Sequence, residues 1–195
     1  MRGLAALAAV CMLFTFAAGC ASTPASRFYT LSATTTSGAT SSDVSIAVGP
    51  VSVPAVVDRP QIVVTTGPNQ VRLEEFNRWA APLQNSIARV VAENLVAMLG
   101  TPRVTLSQSL SADADYRAAI EVQRFESTLG EAATLDAVWT VSRTKDGKSQ
   151  TGRTTVREVT QDKGFDALAA AHSRAVARLS RDIADAVRAL EGSGR

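Results

Sequence analysis

Asp115-Tyr116-Arg117-Ala118-Ala119-Ile120-Glu121-Val122-Gln123-Arg124-Phe125 is the stretch on which the fold turns. Tyr116, Ala118, Ile120 and Val122 fall on one side of an extended chain, and Arg117, Glu121 and Gln123 on the other. A period of two of this kind describes a strand buried on one face. Downstream, Leu135, Ala137, Trp139 and Val141 repeat the period. Asp146-Gly147 then supplies a tight hairpin turn. The following run, Gln150–Val159, is mostly polar, which suits a sheet edge or a strand that faces a partner.

Upstream, residues 44–53 are rich in β-branched side chains, with Ile46, Val48, Val51 and Val53 as candidates for burial. Pro50 should end that strand or force a bulge. Residues 54–60 read as a loop. Gln61–Thr66 and Gln70–Glu74 flank the turn signal Gly67-Pro68-Asn69 and make a second hairpin. The period then changes. Leu83, Ile87, Val91, Leu95 and Met98/Leu99 recur at helical spacing from Pro82, and Gly100 and Pro102 end the helix. A longer helix covers Phe165–Leu190, with Phe165, Leu168, His172, Val176, Leu179, Ile183, Val187 and Leu190 on one side. Arg178/Asp182 and Arg181/Asp185 sit four apart as slight ion-pair support on its other side.

Two helices and about six strands in mixed order predict an α+β fold. It is a single domain, with a mixed, mostly antiparallel sheet and both main helices packed on one face. Hydrophobic residues are 46% and charged residues 19% of the 195, so the body is globular rather than disordered. With Arg2 set aside, 19 basic face 18 acidic side chains, which leaves no electrostatic reason for a nucleic-acid partner.

The first residues read as an export signal. Arg2 precedes an apolar run from Leu4 to Ala18, too short to span a bilayer comfortably, which takes roughly 20 residues. The run ends in Phe16-Ala17-Ala18-Gly19-Cys20, small residues before a cysteine, as in a lipobox; Ala17 stands where Leu is usual. Cys11 would leave with the signal, so the mature chain would keep one cysteine, at its first residue. Acylation there turns an awkward free thiol into an anchor. One acyl chain holds a protein marginally, at about 0.8 kcal/mol per buried methylene, and several hold it for good. Ala21 and Ser22 follow, with no Asp to favour inner-membrane retention. The expected layout is 1–19 signal peptide, 20–42 lipidated N-terminus and flexible tether, and 43–191 globular domain. Within the tether only Phe28-Tyr29-Thr30-Leu31 looks like a short strand.

The catalytic inventory is thin. His172, the only histidine, is phased with Leu168 and Val176 and is expected to be a buried structural residue. A hydrolase using His172 with a nearby Ser or Asp ranks last among the functions considered. No nucleophile elbow, zinc-protease motif or dinucleotide fingerprint is present. No metal or cofactor is expected. Asp113 and Asp115 read as a solvated turn before a strand.

One region resists so plain an account: Asp58-Arg59-Pro60-Gln61-Ile62-Val63-Val64 through Glu74-Glu75-Phe76-Asn77-Arg78-Trp79-Ala80-Ala81-Pro82-Leu83. Taken with Phe28-Tyr29-Thr30-Leu31, Ile46-Ala47-Val48-Gly49-Pro50-Val51 and Ala170-Ala171-His172-Ser173-Arg174, it resembles the ABC-type transport auxiliary lipoprotein family, with its PqiC-like members. The resemblance covers almost the whole mature chain. It implies a non-enzymatic accessory of an ABC/MCE-type (mammalian-cell-entry) lipid transport system. Its partners would be an MCE-domain protein and an ABC permease and ATPase. The resemblance also implies a lipid anchor on the periplasmic face of the outer membrane and a homo-oligomeric ring. The alternative is a lipoprotein scaffold for an outer-membrane β-barrel assembly machine. Arg59, Gln61, Phe76, Arg78 and Trp79 are the candidate partner contacts, because aromatics and arginine dominate interface hot spots. For Trp79, and also for Phe76, the competing expectation is a hydrophobic plug that packs the loop onto the first helix.

Overall fold

The alternating stretch forms the longest strand, Tyr116–Thr128, and the rest of the sheet is arranged around it. A computed structural model describes residues 24–35, 42–106 and 113–192. In chain order the elements are β1 (Arg27–Tyr29), β2 (Ile46–Ser52), β3 (Gln61–Gly67), β4 (Gln70–Trp79), α1 (Leu83–Leu99), β5 (Val104–Thr105), β6 (Tyr116–Thr128), β7 (Ala132–Arg143), β8 (Ser149–Val159) and α2 (Phe165–Gly192). The signal segment and Cys20 lie outside the described residues.

Along one edge β6 runs antiparallel to β7, from Tyr116↔Arg143 to Thr128↔Ala132. Along its other edge it has two partners in succession. Its first half pairs parallel with β2, and Ser127 near its end pairs with Val64 of β3. The sheet therefore branches at β6. One arm continues through β2 to β5, the other through β3 and β4 to β1, and β7 leads to β8 on the opposite side. Among the described residues β8 pairs only with β7, so it is an edge, as its polarity suggested.

The class is α+β, as expected, but the sheet is mixed rather than mostly antiparallel. The β1–β4, β2–β5, β2–β6 and β3–β6 pairings are parallel. Parallel neighbours need long crossovers. The chain supplies them: the β3–β4 hairpin and α1 both lie between β2 and β6.

Pro50 does not end β2. The strand continues to Ser52, with a register shift between Val48 and Val51. Gly49, at φ 125°, makes that bulge where a side chain would be strained.

Both helices pack on each other and on the sheet. α1 ends on Gly100 in the left-handed conformation, whose N–H donates to Val96 O. The Leu83–Leu99 and Leu168–Leu190 faces read from the sequence are buried. Between the helices, Asn94 Nδ2 donates to Ser180 Oγ at 3.2 Å, and Arg188 Nη2 donates to Met98 O at 2.7 Å near the end of α1. The expected i,i+4 pairs on α2 are not the ones formed. Arg178 reaches Glu158 of β8 at 3.7 Å, Thr154 of β8 donates to Asp182, and Asp185 pairs with Arg188. The polar flank of the helix is spent on holding the neighbouring strand.

The folded body also starts earlier than residue 43. β1 lies along β4 in parallel register, from Arg27↔Asn77 to Tyr29↔Trp79. Leu31 is 1% exposed. Its carbonyl accepts from Arg89 of α1 at 2.6 Å, and the Ser32 N–H donates to Ser173 Oγ of α2 at 3.1 Å. Residues 27–32 are thus bound into the domain rather than belonging to a tether.

Candidate functional site

The five candidate contact residues converge on the base of the β3–β4 hairpin. Gln61 opens β3 opposite Arg78, whereas Ile62 already faces Glu74. Glu75, Phe76 and Asn77 are the surplus on β4 and form a bulge. Bulges re-aim side chains at strand ends. Here Phe76 is left 37% exposed. Arg78 Nε donates to Glu75 O at 2.7 Å, which ties the bulge back on itself, and Gln61 Nε2 reaches Glu75 Oε2 at 3.5 Å.

Trp79 lies elsewhere in depth. It is 5% exposed, and its backbone N–H donates to Pro60 O at 2.7 Å. Its ring meets Phe125 edge-on at 6.1 Å and His172 at 6.0 Å. Trp79 is buried rather than a surface contact, but its ring packs on β6 and α2 and not, as the plug reading expected, on the first helix. Arg59 is half-buried, and its Nε is enclosed without a hydrogen-bond partner among the described residues. The surface that remains is Phe76 and Arg78, with Gln61 and Arg59 beneath.

Phe28 reads from the sequence as part of a short strand but not as a contact residue. It pairs with Arg78 across the β1–β4 edge and is 63% exposed. The signal was present: Phe28 and Thr30 alternate with the buried Tyr29 and Leu31.

His172 is enclosed, as its phase on the helix indicated. It stacks on Phe125 at 3.9 Å and 9°, and its Nε2 lies 2.8 Å from Ser127 Oγ. Burial holds its pKa down to about 3. A serine beside a histidine is the first contact of a nucleophilic dyad. Here both residues are buried, and Nδ1 has no orienting carboxylate or other hydrogen-bond partner among the described residues. The pair is sealed from substrate, and packing is the role its geometry supports.

Asp115 is a clamp rather than a loosely solvated turn residue. Its Oδ2 accepts from the Ser45 N–H at 2.8 Å and the Ser45 hydroxyl at 2.7 Å, and these hydrogen bonds lower its pKa. It fastens the start of β6 to the start of β2. Among the described residues no group of three or more His, Cys, Asp and Glu is placed to hold a metal ion, and no helix is long and apolar enough to cross a membrane.

The fold has solved relatives. Protein XCC0632 from Xanthomonas campestris, of the DUF330 family, superposes with a TM-score of 0.71 at 21% identity, covering 87% of this chain and 100% of its own. A second, uncharacterised protein superposes at 0.69 with 20% identity, covering 84% of this chain and 99% of its own. The PelC dodecamer protein of Paraburkholderia phytofirmans, at 16% identity, covers 77% of this chain and 93% of its own with a TM-score of only 0.41, too low to inform function. Among curated proteins none matches. The model of the ABC-type transport auxiliary lipoprotein component family matches residues 29–184, from β1 into the second half of α2, and the chain belongs to that family.

Proposed function

We propose that this protein is a lipid-anchored accessory of an ABC/MCE-type lipid transport system, held by Cys20 on the periplasmic face of the outer membrane. The observation that carries it is the family match over residues 29–184, preceded by a cysteine in a lipobox setting. The protein supplies no chemistry of its own on this view. It grips an MCE-domain protein while the permease and ATPase work from the other side, and it assembles as a homo-oligomeric ring.

Phe76 and Arg78, flanked by Gln61 and Arg59, are the contacts. An exposed aromatic beside a guanidinium has the composition of an interface hot spot. The edge of β8 is available for pairing between copies. The double variant Phe76→Ala/Arg78→Ala should remain folded and lose no more than about 2 kcal/mol, since Phe76 is exposed and the one hydrogen bond removed, Arg78 Nε to Glu75 O, is worth about 0.5–1.5 kcal/mol. It should weaken partner capture about tenfold or more, because hot-spot truncations typically cost above 1 kcal/mol. Equal capture by the variant removes these residues from the interface.

The test of the whole proposal is capture from detergent-solubilised envelopes after gentle cross-linking, with Cys20→Ser as the control. An MCE-domain protein and its permease should accompany the parent protein. The control should be released from the membrane fraction. Recovery of a β-barrel instead, or of no transport component, would overturn the assignment.

A further inference from the structure

The described residues hold eight exposed large hydrophobics, and Phe28, Val56, Val71, Leu73 and Phe76 all lie on β1, on β4 or in the loop before β3. Val56 and Val71, each 48% exposed, share a shallow groove of about 200 Å³ with Pro54, Val63 and Pro68 at the turn of the hairpin. Monomeric surfaces seldom gather apolar side chains in this way without a use for them. Two pairs of nearby charges are matched to each other, while Asp58 and Arg59 of the loop, of opposite sign, stand outside them. Arg72 binds Glu74 at 2.7 Å, and Arg124 binds Glu126 at 2.6 Å. The surface is therefore apolar and close to neutral, which suits insertion into a lipid interface better than attraction to one.

The direction of β1 says what lies opposite. β1 runs parallel to β4, and β4 runs away from the turn, so the chain upstream of Arg27 heads back toward the turn. Pro24 is the first described residue. Cys20 is four residues earlier, so its Cα lies at most about 14 Å from that of Pro24. A lipid attached at Cys20 therefore meets the bilayer within that reach of Pro24, which lies on the side of the molecule that carries β1.

We infer that the turn half of the β3–β4 hairpin, led by Val56 and Val71, rests in the interface of the phospholipid bilayer that receives the Cys20 lipid. The inference depends on the acylation of Cys20 proposed above. Interfacial amphipathic helices bury their apolar side about 5–10 Å into the headgroup and acyl boundary, and the apolar turn of the hairpin is placed at the same level. The body is then oriented and does not swing freely on a tether. The turn of the hairpin lies toward the membrane, its base with Phe76 and Arg78 stays clear for a protein partner, and the β7–β8 turn, at the opposite end of β6, points into the aqueous space.

The experiment uses the acylated full-length product in phosphatidylcholine vesicles. A single thiol carrying an environment-sensitive fluorophore is introduced as Val71→Cys, Val56→Cys or, as a control at the β7–β8 turn, Lys145→Cys. At positions 71 and 56 the emission should shift to the blue, doxyl-labelled acyl chains should quench it, and iodide access should fall several-fold below that at position 145. Protein that floats with the vesicles while all three probes stay equally open to iodide overturns this inference and leaves the anchor standing. Shielding from iodide without quenching by lipid also overturns it, because a protein surface would then be the cover. Protein that fails to float overturns the acylation and this inference together.

Discussion

Gly152→Ala should cost at least about 3 kcal/mol of stability, at the upper end of what overpacking usually costs. Gly152 of β8 stands directly opposite Trp139 of β7, and the indole lies across it. A Cβ built at residue 152 would fall 2.6 Å from Cη2 and 2.8 Å from Cε2 of that ring. The ring is buried and held in place by a hydrogen bond. Its Nε1 donates to Thr154 Oγ1 at 3.0 Å, and the Thr154 hydroxyl in turn donates to Asp182 of α2. One methyl group would therefore break a chain of contacts that joins two strands to the long helix. Domains have about 5–15 kcal/mol in total, so urea melts of the variant should show a sharply lowered midpoint or no folded baseline. Trp139→Leu in the same chain should recover part of the loss, since neighbours that clash are not additive. A Gly152→Ala protein with an unchanged midpoint would mean that the indole does not occupy this space.

The second large effect is on pH. Between pH 6.5 and about 4.5 the protein should lose about 2–3 kcal/mol of stability, at a slope approaching 1.4 kcal/mol per pH unit. The sign follows from His172. Its ordinary pKa is 6.5, and burial lowers it to about 3. Below pH 6.5 the unfolded chain binds a proton that the native state refuses, so stability falls with pH until the folded value is reached. Carboxylates do not account for this window. Asp115, Asp136 and Asp146 are held below their ordinary 3.8 by hydrogen bonds from Ser45, Arg153 and Arg143 respectively, and they act only at lower pH. The groups around the imidazole, Phe125, Trp79 and Ser127, do not titrate here. The double variant His172→Phe/Ser127→Ala keeps the aromatic stack and removes the orphaned hydroxyl. Its stability should be flat across the same window. A parent protein already flat between pH 6.5 and 4.5 would contradict the burial of a neutral histidine.

The same residue shows how far the sequence could be followed. The spacing of His172 from Leu168 and Val176 placed it on the buried face of a helix, and there it is. Its partner Ser127 was not legible, because it comes from β6, forty-five positions away, and no local pattern relates the two. Trp79 was named as a contact and, in competition, as a plug. Depth rules out the contact, and depth depends on Phe125 and His172 arriving from two other elements. The i,i+4 pairs of α2 failed for a related reason. Their spacing was right, but β8 lies against that flank and offers Glu158 and Thr154 closer to hand.

The bulge at Glu75–Asn77 was hidden as well. The sequence marks the turn at Gly67-Pro68-Asn69 but not where the two strands lose step, and that slip is what leaves Phe76 exposed and Trp79 covered. β1 had the alternation of a strand, yet the polar residues around it made it look like part of a tether until β4 supplied an edge.

What this sequence determined alone was local: both helices, most of the strands (but not β5 or the last residues of β4), where they turn and which face of each is apolar. Periods of two and of three to four are written in neighbouring residues, so they can be read without a partner. Tertiary structure alone decided the branching of the sheet at β6, its parallel pairings and the inclusion of β1. Those depend on which backbone edges remain unpaired once the helices have buried their apolar sides, a condition that no segment carries within itself.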